Sequence, residues 1–455
     1  MQSTSKLQSI NPYNQDLVGE FQTFTAVEVD QTIKSANTAF YAWREKPISD
    51  RVEPLKRLAK LLREKKEACA ETISMEMGKP IKEALAEVEK CAWLCDYYAE
   101  NSEAFLSPKI IKSDATKSFV NYEPLGVIYG IMPWNFPYWQ VFRFAVPALM
   151  AGNAAVLKHA PNVSQCAIDM EALFAEAGFP MHLFSTIFLT NDFASQVIKH
   201  HYVRAVSLTG SEGAGRAVAQ AAGAVLKPTL LELGGSNAVI VLKDAELDLA
   251  VQTGFNARFL NSGQSCIAGK RFLIAEEMYD AYIGKFRVKI EKLKRMNPLD
   301  KTCDIGPLAR VDLAEKLEQQ VKDSVALGAE LVIGGKRDGA FYEPTMLKGM
   351  TAEMPVFNQE LFGPVAPFMP IEDLDHAIEL SNQSNFGLGV SICTRNPQKV
   401  LDKVHLFDEG AVFINELVKS DPRLPFGGIK NSGYGRELAE NGIKAFVNVK
   451  TVYVK

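Results

Sequence analysis

Hydrophobic positions in the first hundred residues recur at helical spacing. Val29, Ile33, Ala36, Phe40 and Trp43 fall on one helix face, and Thr25-x-x-Glu28 ahead of them has the form of a capping box. Asp50-x-x-Glu53 reads as the opening of a second helix, with Val52, Leu55, Leu58 and Leu62 on one side and an end near Gly78-Lys-Pro80. A third helical stretch continues to about Phe105. The pattern then changes to short apolar runs. Segments 126–131, 154–157, 186–189 and 205–208 read as strands, separated by helical segments at about 138–151, 163–177 and 192–199. A second alternating series follows Gly235, with strands at 238–242 and 272–274. Alternation of this kind predicts an α/β protein, with parallel sheets covered by helices on their faces.

Length and composition refine this picture. A chain of 455 residues exceeds what one core usually supports, so two or three domains are expected. Hydrophobic content of 47% against 23% charged residues indicates a packed globular protein. A formal charge of −4 gives no reason to expect nucleic acid or an anionic membrane as partner. No apolar run is long enough to span a bilayer and nothing resembles a signal peptide, so the expected compartment is the cytoplasm. The seven cysteines (69, 91, 95, 166, 266, 303 and 393) show no metal-ligand spacing; Cys91 and Cys95, four apart on a predicted helix, suit packing better than zinc.

Four segments carry candidate chemistry. Asn261-Ser-Gly-Gln-Ser-Cys266-Ile-Ala268 sets a cysteine among small, turn-prone residues. It reads either as a buried structural thiol or as a nucleophile whose surroundings control its ionisation. Glu232, between the apolar Pro228–Leu231 and two glycines, is either an exposed strand-end glutamate or a base with a raised pKa. In Met132-Pro-Trp-Asn135-Phe-Pro137 the prolines stiffen the backbone around an amide that could donate to an oxyanion, or that simply packs in a turn. Val203–Val218 reads as strand, glycine-rich turn and helix, with backbone N–H groups placed for a phosphate, although its spacing is not G-x-G-x-x-G.

Taken together and in this order, these segments resemble the NAD(P)-dependent aldehyde dehydrogenase superfamily over nearly the whole chain. The matches are PWNFP at 133–137, GSEGAG at 210–215, LELGG at 231–235, GQSC at 263–266, QELFGPV at 359–365 and PFGG at 425–428. The C-terminal runs Lys430–Glu437 and Gly442–Thr451 look most like the bacterial succinate-semialdehyde dehydrogenases within that family. The resemblance implies a Rossmann-type cofactor domain (1–115 and 138–232), an α/β catalytic domain (233–418) and a small β oligomerisation domain (116–137 and 436–455). In the last of these, 117–122 and 447–454 alternate at strand period, and a homodimer or homotetramer is expected.

The resemblance also implies roles. Cys266 would attack the aldehyde carbon, and Asn135 with the Cys266 N–H would hold the oxyanion. After hydride transfer, Glu232 would activate water to hydrolyse the thioester. Cofactor contacts would come from Lys158, Trp134, Gly210, Ser211, Gly215, Glu360 and Phe362. NAD-selective relatives often carry a glutamate three residues after the strand-end lysine. Here that position is Pro161, so either NAD or NADP is expected. Arg143, facing an otherwise aromatic helix, would bind a substrate carboxylate with help from Ser420 and Trp139, or else be internally paired. A second arginine found in some relatives is replaced by Leu260. The expected reaction is oxidation of succinic semialdehyde or a similar short aldehyde to the acid. The alternatives are a broad dehydrogenase of uncharged aldehydes or a coenzyme-A-acylating enzyme, the latter disfavoured by Glu232. No metal is expected.

Overall fold

The computed structural model describes residues 5–455, so the first four residues of the segment 1–115 lie outside the described residues. The first helix, Ala26–Arg44, starts as its sequence predicts: Thr25 Oγ1 accepts from Glu28 N at 3.3 Å, and Glu28 accepts from Thr25 N at 2.7 Å. The second predicted helix is two. Ile48–Glu64 opens before Asp50, and a break at Lys65 (φ −104°, ψ 15°) separates it from Lys66–Met77. The apolar period runs through the break because both pieces face the same core. Gly78, at φ 77°, ends the second piece, and Ile81–Leu106 follows.

Two parallel sheets form the body. One has the spatial order Gly433–Tyr434, Thr229–Glu232, Val203–Thr209, Val127–Met132, Ala154–His159, Phe184–Thr186, parallel except at its first strand. The other has seven strands, Glu330–Ile333, Thr345–Lys348, Val365–Ile371, Gly269–Ala275, Asn237–Val241, Val390–Cys393 and Val412–Ile414, again parallel except at its first. A three-stranded antiparallel sheet joins Val447–Val454 to Lys117–Pro124 and Lys109–Ile110.

Two expectations change. The segment 116–137 is divided, because Val127–Met132 is a central strand of the six-stranded sheet and only the part before it pairs with the C-terminal strand. The strand expected at 186–189 lies at Phe184–Thr186; Ile187 N still donates to Leu157 O at 2.8 Å, and Leu189 is buried beyond the ladder, so its apolarity reflects burial and not pairing. Among the described residues, no helix is long and apolar enough to cross a membrane.

Candidate active site

In the six-stranded sheet the chain leaves Val127–Met132 in one direction, through Ala154–His159 and Phe184–Thr186, then returns to its other side with Val203–Thr209. That reversal opens a crevice at the carboxyl ends of the strands, where α/β sheets bind ligands. Met132, Lys158, Thr209 and Gly210 line it at those ends, together with Trp134, Ser211, Glu360 and Phe362. Cys266 also lines this cleft and is shared with a second cavity bounded by Phe136, Trp139, Arg143, Ser420 and Phe426. The thiol therefore stands where the two cavities meet.

The loop carrying Cys266 is fixed by amide side chains. Asn261 Nδ2 donates to Asn135 O at 2.8 Å and to Gln264 O at 3.0 Å. Asn135 Nδ2 also donates to Gln264 O (3.0 Å), and Gln140 Nε2 donates to Asn135 Oδ1 (3.1 Å). An amide nitrogen has two protons, so Asn135 retains one for a ligand. Among the described residues the Cys266 N–H has no backbone partner. Asn261 and Ser262 adopt φ of 56° and 52°, a left-handed conformation unusual for serine, and Ser262 is held there by Gly306 N (3.0 Å). Burial raises the Cys266 pKa to about 11, against the opposing charges of Arg143 and Lys270. The other six cysteines are buried.

Glu232 ends its strand and is buried. Neither carboxylate oxygen has a hydrogen-bond partner among the described residues. Burial, then the neighbouring Glu437, hold its pKa well above the usual carboxylate range, while Arg143 and Arg436 oppose them. The second half of PFGG makes room for it: a Cβ on Gly427 would lie 2.6 Å from Glu232 Oε1. A Cβ on Gly235 would lie 2.6 Å from the Cys266 carbonyl oxygen, so LELGG is glycine-rich where it passes beneath the cysteine.

Arg143 sits in the helix Trp139–Met150, every residue of which is buried. Its guanidinium forms an ion pair with Glu437, lies 4.6 Å from the Phe426 ring centre and reaches Thr209 Oγ1 at 3.4 Å. It thus lines the second cavity with its charge already paired. Ser420 Oγ accepts from Trp139 Nε1 at 3.0 Å and from Lys90 Nζ at 2.9 Å. The helix is seated by Glu87, whose Oε1 accepts from the N–H groups of Tyr138 (2.9 Å) and Trp139 (3.0 Å) and which also pairs with buried Lys79.

The first cavity suits a dinucleotide. Lys158 Nζ donates to Asn191 Oδ1 at 3.0 Å, and burial lowers its pKa to about 8. Ser211 caps the helix Glu212–Gly223 by accepting from Ala214 N, so its hydroxyl serves the helix while the helix N-terminus faces the cleft. Gly210 lines the cleft, whereas Gly215 packs inward against Leu233. Glu360 accepts from Gly235 N (3.0 Å) and from Lys270 Nζ (2.7 Å), and Phe362 meets Trp134 edge-on at 5.6 Å. Sequence reasoning missed Asn261, Gln264, Lys270, Glu437 and Lys90. The first two lay inside a motif already singled out, and Lys270, which donates to Cys266 O at 3.2 Å, lies four residues beyond the cysteine; Glu437 and Lys90 join the site only through contacts distant in sequence.

Comparison with known proteins agrees with this geometry. The model of the aldehyde dehydrogenase family matches residues 1–452. A probable NADP-dependent succinate-semialdehyde dehydrogenase of Synechocystis is 44% identical over 98% of this chain and 99% of its own length. The NAD(P)-dependent succinate semialdehyde dehydrogenase Sad of Escherichia coli is 43% identical over 98% of this chain and 97% of its own. A solved succinic semialdehyde dehydrogenase from Streptococcus pyogenes, in complex with NADP+, superposes with a TM-score of 0.96 at 36% identity, covering 98% of this chain and 99% of that one. The two-cavity thiol site, read with these matches, places the chain in the aldehyde dehydrogenase family.

Proposed function

We propose that this chain oxidises succinic semialdehyde to succinate, using NAD or NADP. The observation that carries the reading is the position of Cys266, exposed to both a dinucleotide-shaped cleft and a cavity with basic side chains. Relatives named for this reaction, at 43–44% identity, support the substrate. The Cys266 sulfur, as thiolate, bonds to the aldehyde carbon, and the carbonyl oxygen becomes an oxyanion between the free Asn135 amide proton and the Cys266 N–H. A bound nicotinamide would accept the hydride from that carbon, leaving a thioester on the sulfur. Glu232 then takes a proton from water, whose oxygen displaces the sulfur and releases the acid. Arg143, Ser420 and Trp139 form the far wall for the substrate carboxylate, and Lys158, with the N-terminus of Glu212–Gly223, forms the phosphate end of the cleft. No acidic side chain is present at 160 or 161 to repel a 2′-phosphate, which favours acceptance of NADP. The exposed edge of Val447–Val454 is the surface through which we expect homo-oligomers to form.

Initial rates with succinic semialdehyde and with butanal, each with NAD and NADP, test the substrate and cofactor reading. A strong preference for the charged aldehyde is expected; equal rates would leave a broad aldehyde dehydrogenase. For the chemistry, Glu232→Gln should keep a single-turnover burst of reduced cofactor and lose steady-state rate by about 10²–10⁴-fold. Full steady-state turnover in that variant would remove Glu232 as the base.

A further inference from the structure

The basic residues of the substrate cavity are not equivalent. Four cationic side chains line it: Lys82, Lys90, Arg143 and Lys419. Lys82 pairs with Asp304 at 2.6 Å, Arg143 with Glu437, and Lys419 with Glu416 at 2.8 Å. Lys90 alone has no carboxylate within ion-pair distance among the described residues. Its ammonium lies 4.2 Å from the centre of the Trp139 ring and donates once, to Ser420 Oγ at 2.9 Å. An ammonium has three donors, so two remain.

We propose that Lys90 is the residue that binds the carboxylate of the substrate, with Ser420 beside it, and that it sets the preference for an anionic aldehyde. This rests on the substrate reading above. A half-buried cation against an indole, lacking a counter-ion, is held at a cost that a bound carboxylate removes. The same burial lowers its pKa to about 8, helped by Arg143, whereas Glu87 and Asp421 act the other way. The acidic residues lining the cavity are engaged elsewhere: Glu87 with Lys79 and the helix N–H groups, Glu83 with Asn261 N at 2.7 Å. Arg143, tied to Glu437, then contributes its field and holds Glu437 in place, while Lys90 makes the direct contact. Sequence spacing could not indicate this, because Lys90 and Ser420 are 330 residues apart.

The test is the ratio of kcat/KM for succinic semialdehyde to that for butanal, which has the same chain length without the charge. In the Lys90→Met enzyme the ratio should fall about 10- to 100-fold, the value of one charge-assisted hydrogen bond. Lys90→Gln should fall comparably and guards against a folding defect peculiar to the methionine. Lys90→Arg should retain most of the ratio. General damage to the fold lowers both substrates together and leaves the ratio unchanged. A large wild-type ratio that survives in both neutral variants overturns the lysine assignment alone. A wild-type ratio near one overturns the substrate reading, and the lysine assignment with it.

Discussion

Glu232 is a carboxyl group buried without a donor on either oxygen, and that condition couples its chemistry to stability. Its pKa in the fold lies well above the ordinary 4.5, chiefly through burial. Between those two values the folded chain holds a proton that the unfolded chain has lost. Stability therefore falls as pH rises through that window. The base form, which activates water, gains population over the same rise. We expect the post-burst rate to increase as pH rises above the ordinary carboxylate range while the thermal midpoint declines. Glu232→Gln should flatten this part of the decline. Identical pH slopes for the two proteins, by scanning calorimetry, would contradict the account. At this scale much was legible in sequence. Cys266, Glu232 and Asn135 stand in short motifs, and close backbone approach explains the glycines at 235 and 263 within them. Glu437 and Lys90 were not legible, because their partners Arg143 and Ser420 come from distant parts of the chain.

Among the elements, the helix Trp139–Met150 governs the substrate cavity, since it carries Trp139 and Arg143 and has no solvent-facing side. Its N-terminal N–H groups are satisfied by the Glu87 carboxylate, which also neutralises buried Lys79. Glu87→Gln would leave that lysine without its counter-ion in a dry site. The expected cost is about 3–5 kcal/mol, read as a lower denaturant midpoint. An unchanged midpoint would mean that the pair does not seat the helix. Periodicity located this helix within a residue or two of its ends. It failed at the Lys65 break, where both helices bury the same face, and at Phe184–Thr186, where burial outlasts pairing. Hydrophobic spacing reports which side is covered; it does not report where the backbone turns or which neighbour a strand selects.

On the scale of the molecule, among the described residues the three-stranded sheet leaves Val447–Val454 with one unpaired edge, and on this strand Val449 and Tyr453 are 62% and 52% exposed. Replacing both with lysine should shift the protein to a smaller species in light scattering at micromolar concentration, if this edge joins subunits. An unchanged mass would place the interface elsewhere. The segment Asn261–Cys266 is held by parts of the chain that are far apart in sequence. Its backbone and side chains are fastened to Glu83, to Asn135 and to the stretch holding Gly306 and Ala309, three separate parts of the chain. No one of those stretches can shape the segment by itself. The reactive thiol thus acts as a reporter of completed assembly: during refolding, helix content and compactness should return first, and the capacity to form a thioester last.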